Sequence, residues 1–160
     1  MRRRGQEAAA TVHHPPFLLA RTAFYSSNEA DVAPIDPARG GIEAIVRIDA
    51  LPATNQEFAV VELGGGSNGI LLQTFGNGAW ALHRFGVFIT SDPNLVLVDE
   101  AQHLAAVLNE GSWQLWVDGL LAASSADAGY DPAAGIRIGA DNAGAGTNRG
   151  FNGIIKAVHV

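Results

Sequence analysis

Apolar residues recur along this chain in short alternating runs rather than in helical stripes. From Gly41 to Ala50, Ile42, Ala44, Val46 and Ile48 alternate with Glu43, Ile45, Arg47 and Asp49. A period of two puts one set of side chains on a single strand face. Leu51-Pro52-Ala53-Thr54-Asn55 ends the run. Phe58 to Leu63 and Ile70 to Phe75 flank Gly64-Gly65-Gly66-Ser67-Asn68-Gly69, which predicts a hairpin. Trp80 to Arg84, Val87 to Thr90 and Leu95 to Val98 are further predicted strands, with turns at Gly76-Asn77-Gly78, Gly86 and Asp92-Pro93-Asn94 between them. Glu100 to Asn109 is rich in Ala and Leu, and Leu104 and Leu108 have i, i+4 spacing. It lies among tight turns, however, and is read as a strand.

The clearest local signal is Ser112 to Ser124. Trp113, Leu115 and Val117 alternate with Gln114 and Trp116, Asp118-Gly119 follows, and apolar residues resume at once. Asp-Gly between such runs predicts a type I′ hairpin turn, which needs positive φ at both central positions. Gly135 to Gly139, a polar loop Ala140 to Gly150, and Phe151 to Val160 complete the pattern. No helix is needed. Many short strands at regular spacing predict an all-β antiparallel sandwich.

Composition narrows the picture. At 160 residues and 48% hydrophobic, the chain can build the core of one domain. The expected organisation is a basic arm over 1–16 and a single sandwich over 17–160. The net charge is −6 even with Arg2, Arg3 and Arg4 included, so the body repels phosphate backbones and nucleic-acid binding is not expected. With no cysteine, disulfides, thiolate chemistry and Cys-based zinc sites are excluded. No apolar run reaches the length of a membrane span. The start MRRRG has the charge of a signal peptide, but Phe17-Leu18-Leu19-Ala20 is too short for its apolar region, so no export signal is read. The arm is expected to be either frayed or pinned by a neighbouring chain.

Four segments in order carry a resemblance: His103-Leu104-Ala105, then Trp113-Gln114-Leu115-Trp116-Val117-Asp118-Gly119, then Ile136-Arg137-Ile138-Gly139, then Phe151-Asn152-Gly153-Ile154-Ile155. Together they resemble the laminin G-like branch of the concanavalin A-like lectin/glucanase superfamily, over roughly Gly41 to Val160. Gly41 to Asp49 is similar to that family's early strand. There are departures. Ala101-Gln102 stands where the family often has Trp, Trp116 replaces a hairpin Tyr, and Lys156-Ala157 replaces an Asp-Glu pair. The resemblance implies a jelly roll of two antiparallel sheets. It implies little about ligand, because this fold serves lectins, adhesion modules, glucanases and structural pieces.

Residues that could carry chemistry are few. The glucanase relatives use E-x-D-x-x-E on one strand, and this chain lacks it. Glu57 and Glu62, five apart, are expected on opposite strand faces; Asp99 and Glu100 also diverge. Gly64 to Gly69 satisfies G-x-G-x-x-G, but a strand rather than a helix follows, so the glycines serve a turn. Of the five histidines only His13 and His14 are close in sequence, and a lone strand histidine is usually structural. No cofactor is expected, since Asp141, Asn142 and Asn148 are read first as satisfying turns in a glycine-rich loop; the alternative, which the resemblance implies, is calcium with these three as the best donors. Trp116, with Gln114 beside it, is expected to face away from the core, where it could stack on a sugar ring or anchor a protein partner.

These observations favour a non-catalytic module over an enzyme. Its expected partner is a glycan or a protein surface, and it is expected to form a homo-oligomer or part of a larger assembly. The expected setting is a virion, as in a phage decoration or tail protein, or otherwise the extracellular space. The alternatives are a secreted or fused carbohydrate-binding or adhesion domain and, last, a glycoside hydrolase.

Overall fold

The computed structural model of the chain describes residues 17–19, 25–26, 39–63, 70–84, 87–109, 112–126, 135–140 and 150–159. The basic arm, the Gly64 to Gly69 turn and the calcium candidates Asp141, Asn142 and Asn148 lie outside them. Every described element is a strand: β1 (Phe17–Leu19), β2 (Tyr25–Ser26), β3 (Arg39–Ile48), β4 (Glu57–Leu63), β5 (Ile70–Phe75), β6 (Trp80–Arg84), β7 (Val87–Thr90), β8 (Ala101–Asn109), β9 (Ser112–Val117), β10 (Leu120–Ser125), β11 (Ile136–Ile138) and β12 (Gly153–His159). Among the described residues no helix is long and apolar enough to cross a membrane.

The strands form two six-stranded antiparallel sheets. Sheet A has the order β1-β12-β3-β8-β9-β10, and sheet B the order β2-β11-β4-β5-β6-β7. The alternation along β3 is realised as expected: Ile42, Ala44, Val46 and Ile48 are buried, and Glu43 and Ile45 are exposed. The segment from Ala101 to Asn109 is strand β8, paired with β3 and β9. Its helix-favouring composition yields to a ladder with β3 along its whole length and one with β9 from Leu104 onward, while the His103 N–H is taken by the Asp118 carboxylate. Asp118 and Gly119 have φ of 50° and 79°, as a type I′ turn requires.

There are three differences from expectation. β1 and β2, too short to show a pattern, are held by pairing with the distant β12 and β11. Leu95 to Val98 is not a strand; only Val98 makes a single bridge, parallel to Ile48. The backbone there is satisfied otherwise. Gln102 takes the Leu97 N–H at 2.8 Å and donates to the Leu95 carbonyl at 3.0 Å, and Val96 N–H reaches the Gly78 carbonyl.

The third difference is a bulge in β4 between Ala59 and Val61. The extra residue, Val60, shifts the alternation, so Glu57 and Glu62 pair with Phe75 and Leu71 on one face. The expectation that they face opposite sides is therefore corrected.

The core lies between the sheets. Trp113, Leu115, Leu104 and Ile42 from sheet A meet Trp80, Leu82, Leu72 and Phe58 from sheet B. Phe151, just before β12, packs edge-on against Phe58 at 6.4 Å. Both sheets keep an outer face, and these faces carry the candidate chemistry.

Candidate functional site

On β9, Trp113, Leu115 and Val117 are buried while Gln114 and Trp116 are partly exposed. Trp116 therefore stands on the outer face of sheet A. In register across that face lie Glu43, Ala105, Trp116 and Leu121. Trp116 Nε1 donates to Gln114 Oε1 at 3.2 Å. That bond uses the only polar hydrogen of the indole, and what remains on offer is the ring itself. Leu121 is 51% exposed and Ile45 38%, so the ring sits within a shallow apolar platform. Charged groups edge it: Glu43 lies 3.8 Å from His103 Nε2, and Arg47 bonds Asp49 at 2.9 Å. Such exposed pairs contribute little to stability but give polar ends to a flat apolar surface. The arrangement suits stacking against the apolar side of a ligand ring.

Sequence reasoning did not anticipate the outer face of sheet B. One row across it holds Arg137, Glu62, Leu71, His83 and Phe88; the next holds Ala59, Gln73, Ala81 and Thr90. Arg137 Nη1 donates to Glu62 Oε2 at 2.9 Å, an ion pair between residues 75 apart in the chain. Glu62 is nearly buried, so this pair is screened less than the exposed ones. His83 stacks on Phe88 at 4.1 Å, and Phe75 packs on Phe88 at 5.8 Å. Gln73 is fully buried, and neither atom of its amide has a hydrogen-bond partner. No motif announces these residues. They converge through strand register, and Glu62 joins them only because of the β4 bulge.

The same register bears on hydrolysis. Glu57 and Glu62 share a face, but their partners Phe75 and Leu71 are four residues apart on β5. That is roughly 13 Å between their backbone positions along the strand, so the two are not neighbours on that face, and no E-x-D-x-x-E strand stands in their place. Asp118, which sequence reasoning places in a turn, has a second task there. Its carboxylate accepts the His103 N–H at 2.8 Å and the Gln102 Nε2 hydrogen at 3.1 Å. Among the described residues no group of three His, Asp or Glu side chains could hold a metal. Beside the hairpin runs a groove of about 360 Å³, lined by Asp92, Asn94, Leu97, Asp118, Leu120 and Leu121 among others.

Known proteins share this architecture. The family model described as the concanavalin A-like lectin/glucanases superfamily matches residues 25–160. A sequence search of curated proteins finds no match. Among solved structures, the CBM40 of Ruminococcus gnavus IT-sialidase bound to α2,3-sialyllactose is similar at 14% identity and a TM-score of 0.69, covering 92% of this chain and 89% of that one. Domains LG4-5 of the mouse laminin α1 chain give 14% identity and a TM-score of 0.58, covering 92% of this chain and 37% of that one. The leech intramolecular trans-sialidase gives 14% identity and a TM-score of 0.70 over 92% of this chain, but only 25% of that one. At such identities the likeness is one of fold.

Proposed function

The chain belongs to the concanavalin A-like lectin/glucanases superfamily, and from that premise we propose that it is a non-catalytic recognition module that binds glycans. The observation that carries the proposal is the Trp116 platform. A large aromatic ring on an outer sheet face, with its polar hydrogen already used by Gln114, is built for stacking. The Gln114 Nε2 group supplies a donor beside it. Support comes from the likeness to a carbohydrate-binding module solved with sialyllactose. The lack of an E-x-D-x-x-E strand weighs against hydrolysis.

The test is a glycan array that includes lactose and both α2,3- and α2,6-sialyllactose, read with the wild-type chain and with Trp116→Ala. The proposal expects binding by the wild type, weakened about tenfold or more in the variant, since truncating an aromatic anchor at the centre of a contact costs about 2 kcal/mol or more. A Trp116→Ala protein that binds every glycan as the wild type does removes Trp116 from the site.

A second reading is supported by a separate observation. Leu120 is 74% exposed and Leu121 51%, successive residues at the start of β10 that stand on its two faces, Leu121 beside Trp116 and Leu120 beside Val117. Two adjacent exposed leucines suit contact with another protein surface. On this reading the module is one copy in a larger assembly, such as a virion surface or tail, or an extracellular adhesion structure. Both readings share a chain that recognises rather than reacts.

A further inference from the structure

Apolar and acidic surfaces meet in the groove of about 360 Å³ beside the β9–β10 hairpin. Its buried lining includes Gln102 and Val117, and its exposed lining includes Leu97 and Leu120. Two carboxylates, Asp92 and Asp118, also line it. None of the described residues that line it is basic, and among the described residues no cation pairs with Asp92. Asp99 and Glu100, both exposed, follow soon after Leu97. Charge of one sign beside apolar walls focuses the local field and draws in a cation.

Asp118 is held in place and still has capacity. Its Oδ1 accepts the His103 N–H and its Oδ2 the Gln102 Nε2 hydrogen. A carboxylate has about four acceptor positions, so each oxygen keeps one. A guanidinium meets such a pair with two parallel N–H groups. The groove therefore fits a cation on an apolar stem. Arginine is that group, because its methylenes lie along leucine while its head reaches a carboxylate.

The chain carries arginines within reach. Arg2, Arg3 and Arg4 are three of its ten basic residues, and the rest of a chain with net charge −6 is more acidic still. Phe17 pairs with Ile155, Ile155 with Val46, and Val46 with Gln102. The arm thus joins the sheet in the row of Gln102, three strands away, which is roughly 14 Å at strand spacing. The residues between Arg4 and Phe17 extend to about 40 Å, enough to pass round the sheet and enter the groove. Strength decides between this arm and a free basic partner. Exposed ion pairs are weak one at a time, and a short tether supplies a local concentration in the millimolar range.

We propose that this groove is the docking site of the chain's own basic arm. The arginines set their guanidinium groups against Asp118 and Asp92 and their stems on Leu97 and Leu120. A second surface that meets Leu120 must then displace the arm. Trp116 does not line the groove, so the docked arm leaves the platform open and the proposal stands apart from the glycan reading.

The chain has no cysteine, so Gly5→Cys gives the full chain a single attachment point for a nitroxide, next to Arg4. Methyl resonances near the nitroxide lose intensity in nuclear magnetic resonance. At low salt the expected result is loss of most of the Leu97 and Leu120 methyl signal, while Leu108, roughly 20 Å along β8 from Gln102, keeps its own. About 1 M salt, where the Debye length falls to about 3 Å, should restore the signal. Asp92→Arg should do the same, as should the joint variant Arg2→Ser, Arg3→Ser and Arg4→Ser. The arm variant changes none of the described residues, so it keeps the test open even where Asp92→Arg fails to fold. Leu97 and Leu120 signals that stay at full intensity at low salt overturn the proposal. Loss that persists in the arm variant also overturns it. A spin-labelled chain is then mixed with an isotope-labelled chain that has no nitroxide. Loss at the leucines of the second chain assigns the groove to the arm of another copy and overturns docking within one chain.

Discussion

A single side-chain amide joins three parts of the sandwich. Gln102 on β8 reaches the Trp80 indole in sheet B at 3.3 Å, the irregular segment at Leu95 and Leu97, and the turn residue Asp118. All four of its hydrogen-bonding positions are filled, so the group pins rather than strains its neighbours. Its removal would leave several buried groups unpaired at once. Gln102→Leu is expected to cost about 2–4 kcal/mol, because each buried group left unsatisfied costs about 1–3 kcal/mol. Chemical denaturation of the variant against the wild type checks this, and a loss under about 0.5 kcal/mol, the size of an ordinary surface substitution, would show that water replaces the amide. At this scale the sequence is legible only in part. The Ala101-Gln102 pair stands out as a departure from the family pattern, and Asp118 reads correctly as a turn residue. Neither position reveals its bond to the other, because they are 16 residues apart and meet only once β8 and β9 are paired. Trp116 is legible because alternation alone assigns its face. Gln73 is not, because its meaning lies in partners it lacks.

Strands are legible where period two is unbroken and are lost where it is interrupted. β3, β9 and the hairpin turn follow from alternation and from Asp-Gly. The β4 bulge at Val60 inverts the facing of Glu62, and no local signal marks it. Leu95 to Val98 has the apolar content of a strand, but side-chain bonds from Gln102 replace the ladder. Glycines separate two kinds of constraint at this scale. Gly153 opens β12 with φ of 152°, and a Cβ there would fall well inside contact distance of the Arg47 carbonyl oxygen on β3. Gly119 has φ of 79°, and a Cβ added to it would meet nothing within 4 Å. Gly153→Ala must displace the backbone of the neighbouring strand and is expected to cost roughly 3 kcal/mol or more. Gly119→Ala meets only the conformational penalty, about 1 kcal/mol. Thermal melts of the two variants should therefore rank Gly153→Ala well below Gly119→Ala; equal melting temperatures would show that β12 can shift away from β3.

For the whole molecule, the question is what the two sheets leave uncovered. Among the described strands, sheet A ends in β10, with the sequence LLAASS. It carries no charge and no proline, the usual guards of an exposed edge. It does have a bulge between Leu121 and Ala123, and the added twist works against a long ladder with a second strand. Contact through the leucines is then the stronger term. An edge that meets its own copy closes as a twofold dimer, bringing together two corners where Leu120 and Leu121 lie on either face of β10. Each leucine is already partly covered and recovers less than the ~1.5–3 kcal/mol of full burial. Four of them, set against the cost of bringing two bodies together, leave an association of micromolar to millimolar strength. Light scattering over a concentration series should show the mean mass rising toward twice that of the chain. Leu120→Lys with Leu121→Lys should hold it at the monomer while leaving the melting temperature within a few degrees, since both side chains are exposed. A wild-type mass that stays at the monomer into the millimolar range would remove the dimer, and the leucines would then be free for a different protein surface. If the double variant keeps the mass of an assembled wild type, the contact lies elsewhere, and the flat apolar platform around Trp116 becomes the face to test next.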